Sequence, residues 1–157
     1  MLNAIAIIVD LAAINVWVGG MFFIIMVPGK VVATLEIPEQ YSFWQHVLKR
    51  FFFWVWMAVI FLLTSGVGMI LYRYGGLAMA PVHVQAMATL GILMAVVFFI
   101  IYFVFYQKFQ RDLNSGNMEG SRHQLRVIRY LGIINMVLGF CVVIVIGGGP
   151  FLFSFVQ

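Results

Sequence analysis

Charged residues are scarce in this chain. Asp, Glu, Lys and Arg make up only 9% of its 157 residues, whereas hydrophobic residues make up 64%. A soluble globular domain has roughly 25% charged residues. This deficit excludes an ordinary soluble enzyme or binding domain. Nucleic acid is not an expected partner either, because membrane orientation explains the basic residues behind the net charge of +4 better.

Cysteine and the common catalytic motifs are also lacking. Cys141 is the only cysteine, so no disulfide can form within the chain. Its position in an apolar run predicts a buried thiol. There is no nucleophile–base arrangement, no glycine-rich phosphate loop and no pair of carboxylates. These absences favour a non-catalytic protein without deciding the question.

Long apolar runs dominate the rest of the sequence. Four of them are near or above the ~20 residues that cross a bilayer as a helix. They cover about residues 2–27, 51–72, 82–106 and 130–147. The runs are continuous, unlike the short alternating segments of a membrane barrel. Because the connections are short, the sequence predicts one all-α domain over residues 1–157, an antiparallel bundle of four transmembrane helices.

Basic residues are distributed unevenly between the connections. Eight of the nine lie in segments 28–50 and 107–129, and only Arg73 lies between the second and third spans. Lys and Arg accumulate on the cytoplasmic side of membrane proteins. We therefore expect a bacterial inner-membrane protein with both termini and Arg73 in the periplasm. The first run is too long for a signal peptide and lacks a basic leader, which predicts an uncleaved helix.

Local signals mark helix ends and helix contacts. Pro38 suits the first turn of a helix that leads into the second span, and Ser121 with Gln124 fits a capping box for the fourth. Asn15 and Asn135, near mid-membrane, are expected to form hydrogen bonds between the first and fourth spans. Small residues that allow close helix packing are Gly19, Gly20, Ser65, Gly66, Gly68, Gly132 and Gly139.

Asp10 is the only charged residue of the first apolar run. An ionised carboxylate at the centre of a membrane helix costs at least about 2.5–3.5 kcal/mol. We therefore expect Asp10 to face protein, water or a cation rather than lipid. Seven residues later the chain continues with the compact motif Trp17-Val18-Gly19-Gly20.

Several short motifs follow one another in a characteristic order. They are Trp17-Val18-Gly19-Gly20, Arg50-Phe51-Phe52-Phe53-Trp54-Val55-Trp56, Thr64-Ser65-Gly66, Gly75-Gly76, His83-Val84-Gln85-Ala86-Met87, Tyr106-Gln107-Lys108 and Asn135-Met136-Val137-Leu138-Gly139. In this order and spacing the chain resembles the CopD-like family, small four-helix membrane proteins related to the membrane domain of copper-resistance protein D. The resemblance implies an inner-membrane bundle associated with copper handling and, in related bundles, with b-type haem.

The chain departs from the family pattern at two positions. Asp10 and Ile100 stand where members of the family often carry histidines. An aspartate is a poor ligand for soft Cu(I), and isoleucine is no ligand at all. These two departures weaken the case for haem or copper chemistry inside the bundle, and of the two cofactors haem b is the less expected.

A softer set of metal ligands is predicted at the outer side. His83 and Met87 are four residues apart and share one helix face. Met79 precedes that helix, Met69 lies near the outer end of the second span, and Asp10 is a candidate partner of the set. Imidazole and thioether groups suit Cu(I). The alternative interpretation is that these methionines simply fill an apolar core.

The cytoplasmic side carries a basic stripe and two further histidines. Arg122, Arg126 and Arg129 recur at helical spacing, which indicates contact with anionic lipids or docking of a neighbouring subunit. His46 and His123 are expected to be solvated at the interface, although two histidines on adjacent helices can also act as axial haem ligands.

Three functions remain open. The first is a non-catalytic accessory or structural subunit of a larger copper-dependent or respiratory membrane complex, with membrane lipids and other integral subunits as partners. The second is a copper-handling or copper-permeation protein that uses His83, Met87 and Asp10. The third, least favoured, is a b-type haem protein.

Overall fold

The computed structural model describes residues 12–152, apart from the side chains of residue 30 and of residues 146–152. Asp10 therefore lies outside the described residues. The helices are α1 (Ala12–Met26), α2 (Pro28–Val32), α3 (Ile37–Tyr74), α4 (Val82–Asn114) and α5 (Met118–Leu152). No strand occurs between residues 12 and 152, so the all-helical prediction is confirmed for this part of the chain.

Three of these helices are long and apolar enough to cross a membrane. They are α3, α4 and the part of α5 that runs from Met118 to Val145. Helix α1 is also apolar, but its described part is shorter, and the predicted span over residues 2–27 extends outside the described residues. The prediction of three of the four spans is thus matched by helices of sufficient length.

Helices α3 and α5 are longer than the apolar runs that predicted them. Helix α3 begins fourteen residues before the expected span, with Pro38 in its first turn as the sequence indicated. It ends where Gly75 adopts a left-handed conformation with φ of 71°, which glycine reaches without the steric cost of a Cβ. Polar and basic residues therefore continue these helices beyond the apolar segments.

The expected capping box of the last helix is wrong. Helix α5 begins at Met118, three residues before Ser121, and the Asn117 side-chain oxygen accepts a hydrogen bond from the Gly120 backbone N–H at 3.0 Å. Asparagine is a strong N-cap because its oxygen satisfies an otherwise free N–H of the first turn. The Ser121 hydroxyl instead donates to the Asn117 carbonyl from inside the helix.

An aromatic cluster separates α3 from α4 in one half of the bundle. Phe52 and Trp56 of α3 contact Phe98, Tyr102 and Tyr106 of α4, with ring centroids 4.8 Å apart for Phe52–Tyr106 and 5.6 Å for Trp56–Phe98. Most of the contacts between the two helices are edge-to-face, the arrangement that aromatic quadrupoles favour. Because large rings fill the interface, the α3 and α4 backbones do not pack closely.

The two ends of the bundle differ in composition. We call the end that carries residues 75–81, between α3 and α4, the loop end, and the end that carries residues 28–36 and 107–129 the basic end. The aromatic cluster lies toward the basic end, since Tyr106 is eight residues from the end of α4. Helix α5 packs along both α4 and α1 and closes the bundle on the other side.

Gly139 marks the closest approach between α5 and its neighbours. A Cβ at this position would collide with a Cγ of Val18 on α1 and lie 3.3 Å from Cε of Met94 on α4. Valine is branched at Cβ and stiff about χ1, so Val18 cannot easily move aside. The absence of a side chain at Gly139 is therefore a requirement of the packing, which agrees with its expected role.

We predict that Gly139→Ala destabilises the bundle by roughly 1–3 kcal/mol, the usual cost of overpacking a filled interface. The matched control is Gly68→Ala, because a Cβ on exposed Gly68 meets no atom within 4 Å. Unfolding in sodium dodecyl sulfate, followed by tryptophan fluorescence, measures both. Equal midpoints for the two variants would contradict the packing role of Gly139.

Candidate functional site

An apolar cavity of about 560 Å³ lies between the helices at the loop end. Residues of α1, α3, α4 and α5 line it. Gly66 of α3 and Gly91 of α4 leave much of the space, since a Cβ on either glycine would meet no atom within 4 Å. The cavity therefore lies where α3 and α4 carry small residues, and the aromatic rings that separate the same two helices lie nearer the basic end.

Three methionines line this cavity. Met69 comes from α3, and Met87 and Met94 come from α4, seven residues apart and therefore on one helix face. Met94 is buried, whereas Met69 and Met87 are partly buried. Thioether sulfur is a soft, uncharged donor, so the cavity combines an apolar wall with three groups that suit a soft monovalent cation.

The predicted ligands are only partly brought together. Met69 and Met87 line the same cavity, whereas His83, in the first turn of α4, is partly buried and is not part of its lining. Met79 lies in a 3₁₀ turn, Leu77–Met79, with 79% of its surface exposed. Asp10 lies outside the described residues, so its place in the set stays a prediction.

Met94 is the residue of this group that the sequence reasoning missed. Its signal was its spacing of seven residues from Met87, which places both on one face of a regular helix. The predicted ligands all lay near the outer ends of the spans, whereas Met94 lies farther inside. Met94 lies deeper along α4, at the level of Gly139.

Histidine and cysteine side chains form no metal-ligand cluster in residues 12–152. No three His, Cys, Asp or Glu side chains come together there. His46 and His123 are exposed, and Nδ1 of His46 lies 2.8 Å from the Ser42 carbonyl oxygen. Cys141 is exposed rather than buried, so that expectation is wrong. Gly139 and Val142 face the bundle. Because a helix turns by about 100° per residue, Cys141 lies on a different side of α5 from these two residues.

A series of hydrogen bonds between polar side chains joins α3 to α4 beside the aromatic cluster. The Gln45 side-chain amide donates a 2.6 Å hydrogen bond to Oε1 of Gln110, whose own amide donates to the Tyr106 hydroxyl at 2.9 Å. This hydrogen-bonded series was not predicted, because single glutamines near the ends of two spans form no recognisable motif. It fixes the relative position of the two helices at the basic end.

Asn135 is completely buried on α5. Neither its amide nitrogen nor its amide oxygen has a hydrogen-bond partner in the described part of the chain. The expected hydrogen bond from the Asn135 side chain is therefore not made to the described part of the first span, residues 12–26. The Trp17 indole N–H, on α1 at the cavity wall, likewise has no partner there.

The three arginines of the basic stripe are all exposed on α5. Arg122 and Arg126 precede Arg129, whose guanidinium carbon lies 5.8 Å from the centre of the Trp44 ring. Trp44 belongs to α3 and is 4% exposed. Arg129 is thereby held against a second helix by a cation–π contact.

The fold and the cavity together define a multi-helix membrane protein with thioether groups facing its interior. The family model described as CopD, copper resistance protein D, matches residues 45–148, about two thirds of the chain. The chain therefore belongs to the CopD family, and the resemblance found in its sequence is confirmed. No curated protein and no solved structure matches the chain.

The family match covers most of the candidate site. It includes α3 from Gln45 onward, all of α4 and most of α5, and hence Met69, Met87 and Met94. Asp10 and the Trp17-Val18-Gly19-Gly20 motif precede the matched region. The region that matches the copper resistance protein D model thus contains the two helices that carry the three thioethers.

Proposed function

We propose that this chain is a copper-handling protein of a bacterial inner membrane, with Cu(I) as its cargo. The observation that carries the proposal is the presence of three thioethers, from Met69, Met87 and Met94, in one cavity at the loop end. Membership of the copper resistance protein D family supports it. The cavity is the region where the cargo is held between arrival at one membrane face and release.

The donor set fits a weakly held soft ion. Thioethers favour Cu(I) over harder cations, but they are uncharged, and the rest of the lining is almost entirely apolar. Moving an unpaired charge into such surroundings is costly. We therefore expect exchangeable rather than permanent binding, as suits a transported ion and not a structural metal.

Asp10 and His83 belong to the proposal as residues that assist the thioethers. Asp10 is four residues before Ile14 in the sequence, and Ile14 lines the cavity. A carboxylate there would offset the charge of the ion. His83 precedes Met87 by one turn at the loop end, where an arriving ion would first meet α4, and exposed Met79 would meet it in the preceding turn.

The proposed topology has four spans with both termini and the loop end in the periplasm. The eight basic residues at the other end support it through the positive-inside rule. In this orientation the cavity opens toward the compartment in which a bacterium encounters copper from outside.

We predict that purified protein binds on the order of one Cu(I) per chain under reducing conditions, since its three soft donors share one cavity. Replacing Met69, Met87 and Met94 together by leucine should abolish this binding. Competition with a chromogenic Cu(I) chelator measures it. Leucine conserves volume, so the variant should keep its fold.

The control for that experiment is Met57→Leu, because Met57 is an exposed methionine of α3 outside the cavity. Gly91→Leu should also reduce binding by filling the cavity with every thioether retained, whereas Gly68→Leu on the exposed face should not. Absence of Cu(I) from the wild type, or unchanged binding by the triple variant, would reject the cavity as the site. Asp10→Asn and His83→Ala then test the assisting residues.

The orientation predicts that alkaline phosphatase fused after Gln157 is active, because that enzyme matures only in the periplasm. A fusion within residues 115–117, between α4 and α5, should be inactive. A green fluorescent protein fusion at the same two places should give the inverse pattern. Activity at the internal position would contradict the assignment of the basic end to the cytoplasm.

A non-catalytic accessory subunit of a larger membrane complex is the second candidate function. Helix α3 is the least buried of the three long helices, and its Gly68 is exposed with open space beside it. In a bilayer, small residues allow helices from neighbouring subunits to approach closely. This face of α3 is therefore where another integral membrane subunit would bind.

That candidate predicts stoichiometric co-purification of another integral membrane protein after mild solubilisation. Gly68→Phe should displace the partner by steric blockage, whereas Phe53→Leu, a change elsewhere on the exposed surface of α3, should not. Quantitative mass spectrometry of the native complex measures the ratio. A chain that always purifies alone would count against an accessory role.

A further inference from the structure

Arg129 is fixed in position between two other helices. Its guanidinium lies over the Trp44 ring of α3. One of its terminal nitrogens also lies close to Gly29 of α2, 3.4 Å from the position that a Cβ would occupy there. Trp44 is itself almost completely buried, which makes it a rigid support. An exposed arginine that is held in this way has lost much of its side-chain freedom before any ligand arrives.

Within the described part of the chain, Arg129 has a cation–π partner but no acidic partner. No carboxylate of the described residues forms an ion pair with it. Arg126 lies three residues earlier on α5, is also exposed, and adds a second positive charge on the neighbouring turn. Two exposed positive charges on adjacent turns favour binding of an anion.

An apolar groove continues from Arg129 into the membrane part of the bundle. Side chains of α1, α3 and α5 line it together with Ile101 of α4, and it is partly open to the surface, with about 30 Å³ of unfilled space. Its lining includes Ile25 of α1, Leu48 of α3 and Gly132 of α5, while Arg129 and Trp44 form its end toward the basic loops. At Gly132 the groove is narrow, because a Cβ there would lie 3.7 Å from Cδ1 of Ile25, in ordinary van der Waals contact.

We infer that this groove binds one anionic phospholipid, with its phosphate at Arg129 and Arg126 and a short part of an acyl chain seated in the open groove toward Gly132. A cationic group at headgroup level above a narrow apolar groove matches the two parts of a single amphiphile. Basic pockets between transmembrane helices are known to favour anionic headgroups. A protein helix would require a wider surface than this groove offers.

The test uses purified full-length chain in nanodiscs that contain phosphatidylglycerol and phosphatidylcholine in equal amounts. Native mass spectrometry after release into detergent counts the lipids that remain bound. We expect one retained phosphatidylglycerol, and we expect Arg129→Gln to lower its preference over phosphatidylcholine by about fivefold, the effect of one basic residue at a membrane surface. Arg111→Gln, an exposed change on α4, should leave the preference unchanged.

A second variant separates the groove from the charge. Gly132→Leu fills the groove and leaves both arginines in place, so it should also release the lipid. Equal retention of the two lipids by the wild type would overturn the inference, as would unchanged preference in Arg129→Gln. Retention of a protein at this site in place of lipid would overturn it as well.

Discussion

The spacing between α3 and α4 is the constraint on which the rest of the structure depends. Phe52 and Trp56 on one helix meet Phe98, Tyr102 and Tyr106 on the other, and these rings set a separation that small side chains could not maintain. Gln45 and Gln110 tie the same two helices together beside the rings. Toward the loop end, beyond the rings, glycine and alanine residues line the space between the two helices. These side chains are too small to fill the separation, so empty volume remains. The cavity is thus a consequence of large residues located elsewhere.

The two ends of the bundle consequently have different chemistry. At the loop end, soft sulfur atoms face an apolar interior, which suits an ion with little affinity for hard oxygen ligands. At the basic end, the guanidinium of Arg129 is held against the Trp44 ring. Helix α5 makes contacts at both ends. Gly139 allows it to pack closely against α1 and α4, and Arg129 contacts α3.

The sequence predicted the helices well and their faces poorly. Continuous apolar runs are sufficient to identify α3, α4 and α5, since a helix satisfies its backbone in lipid without help from its neighbours. The rotation of each helix about its axis cannot be predicted from the apolar runs, because both its lipid face and its buried face are apolar. Cys141 was therefore assigned to the interior and Met94 was overlooked. The start of α5 was predicted wrongly for another reason, since Asn117 and not Ser121 supplies its N-cap.

The wide π-helical turn at Ile101–Tyr106 has a consequence for how α4 can change in evolution. Such turns accommodate one more residue than a regular turn, so Ile101, Tyr106 and Phe109 all stay on the buried face despite the spacing of five between the first two. Loss of one residue from 102–105 would shorten the helix and keep both halves in phase. The same loss elsewhere in α4 would turn every later residue by about 100°. Length variation among relatives of this chain should therefore concentrate in that single turn.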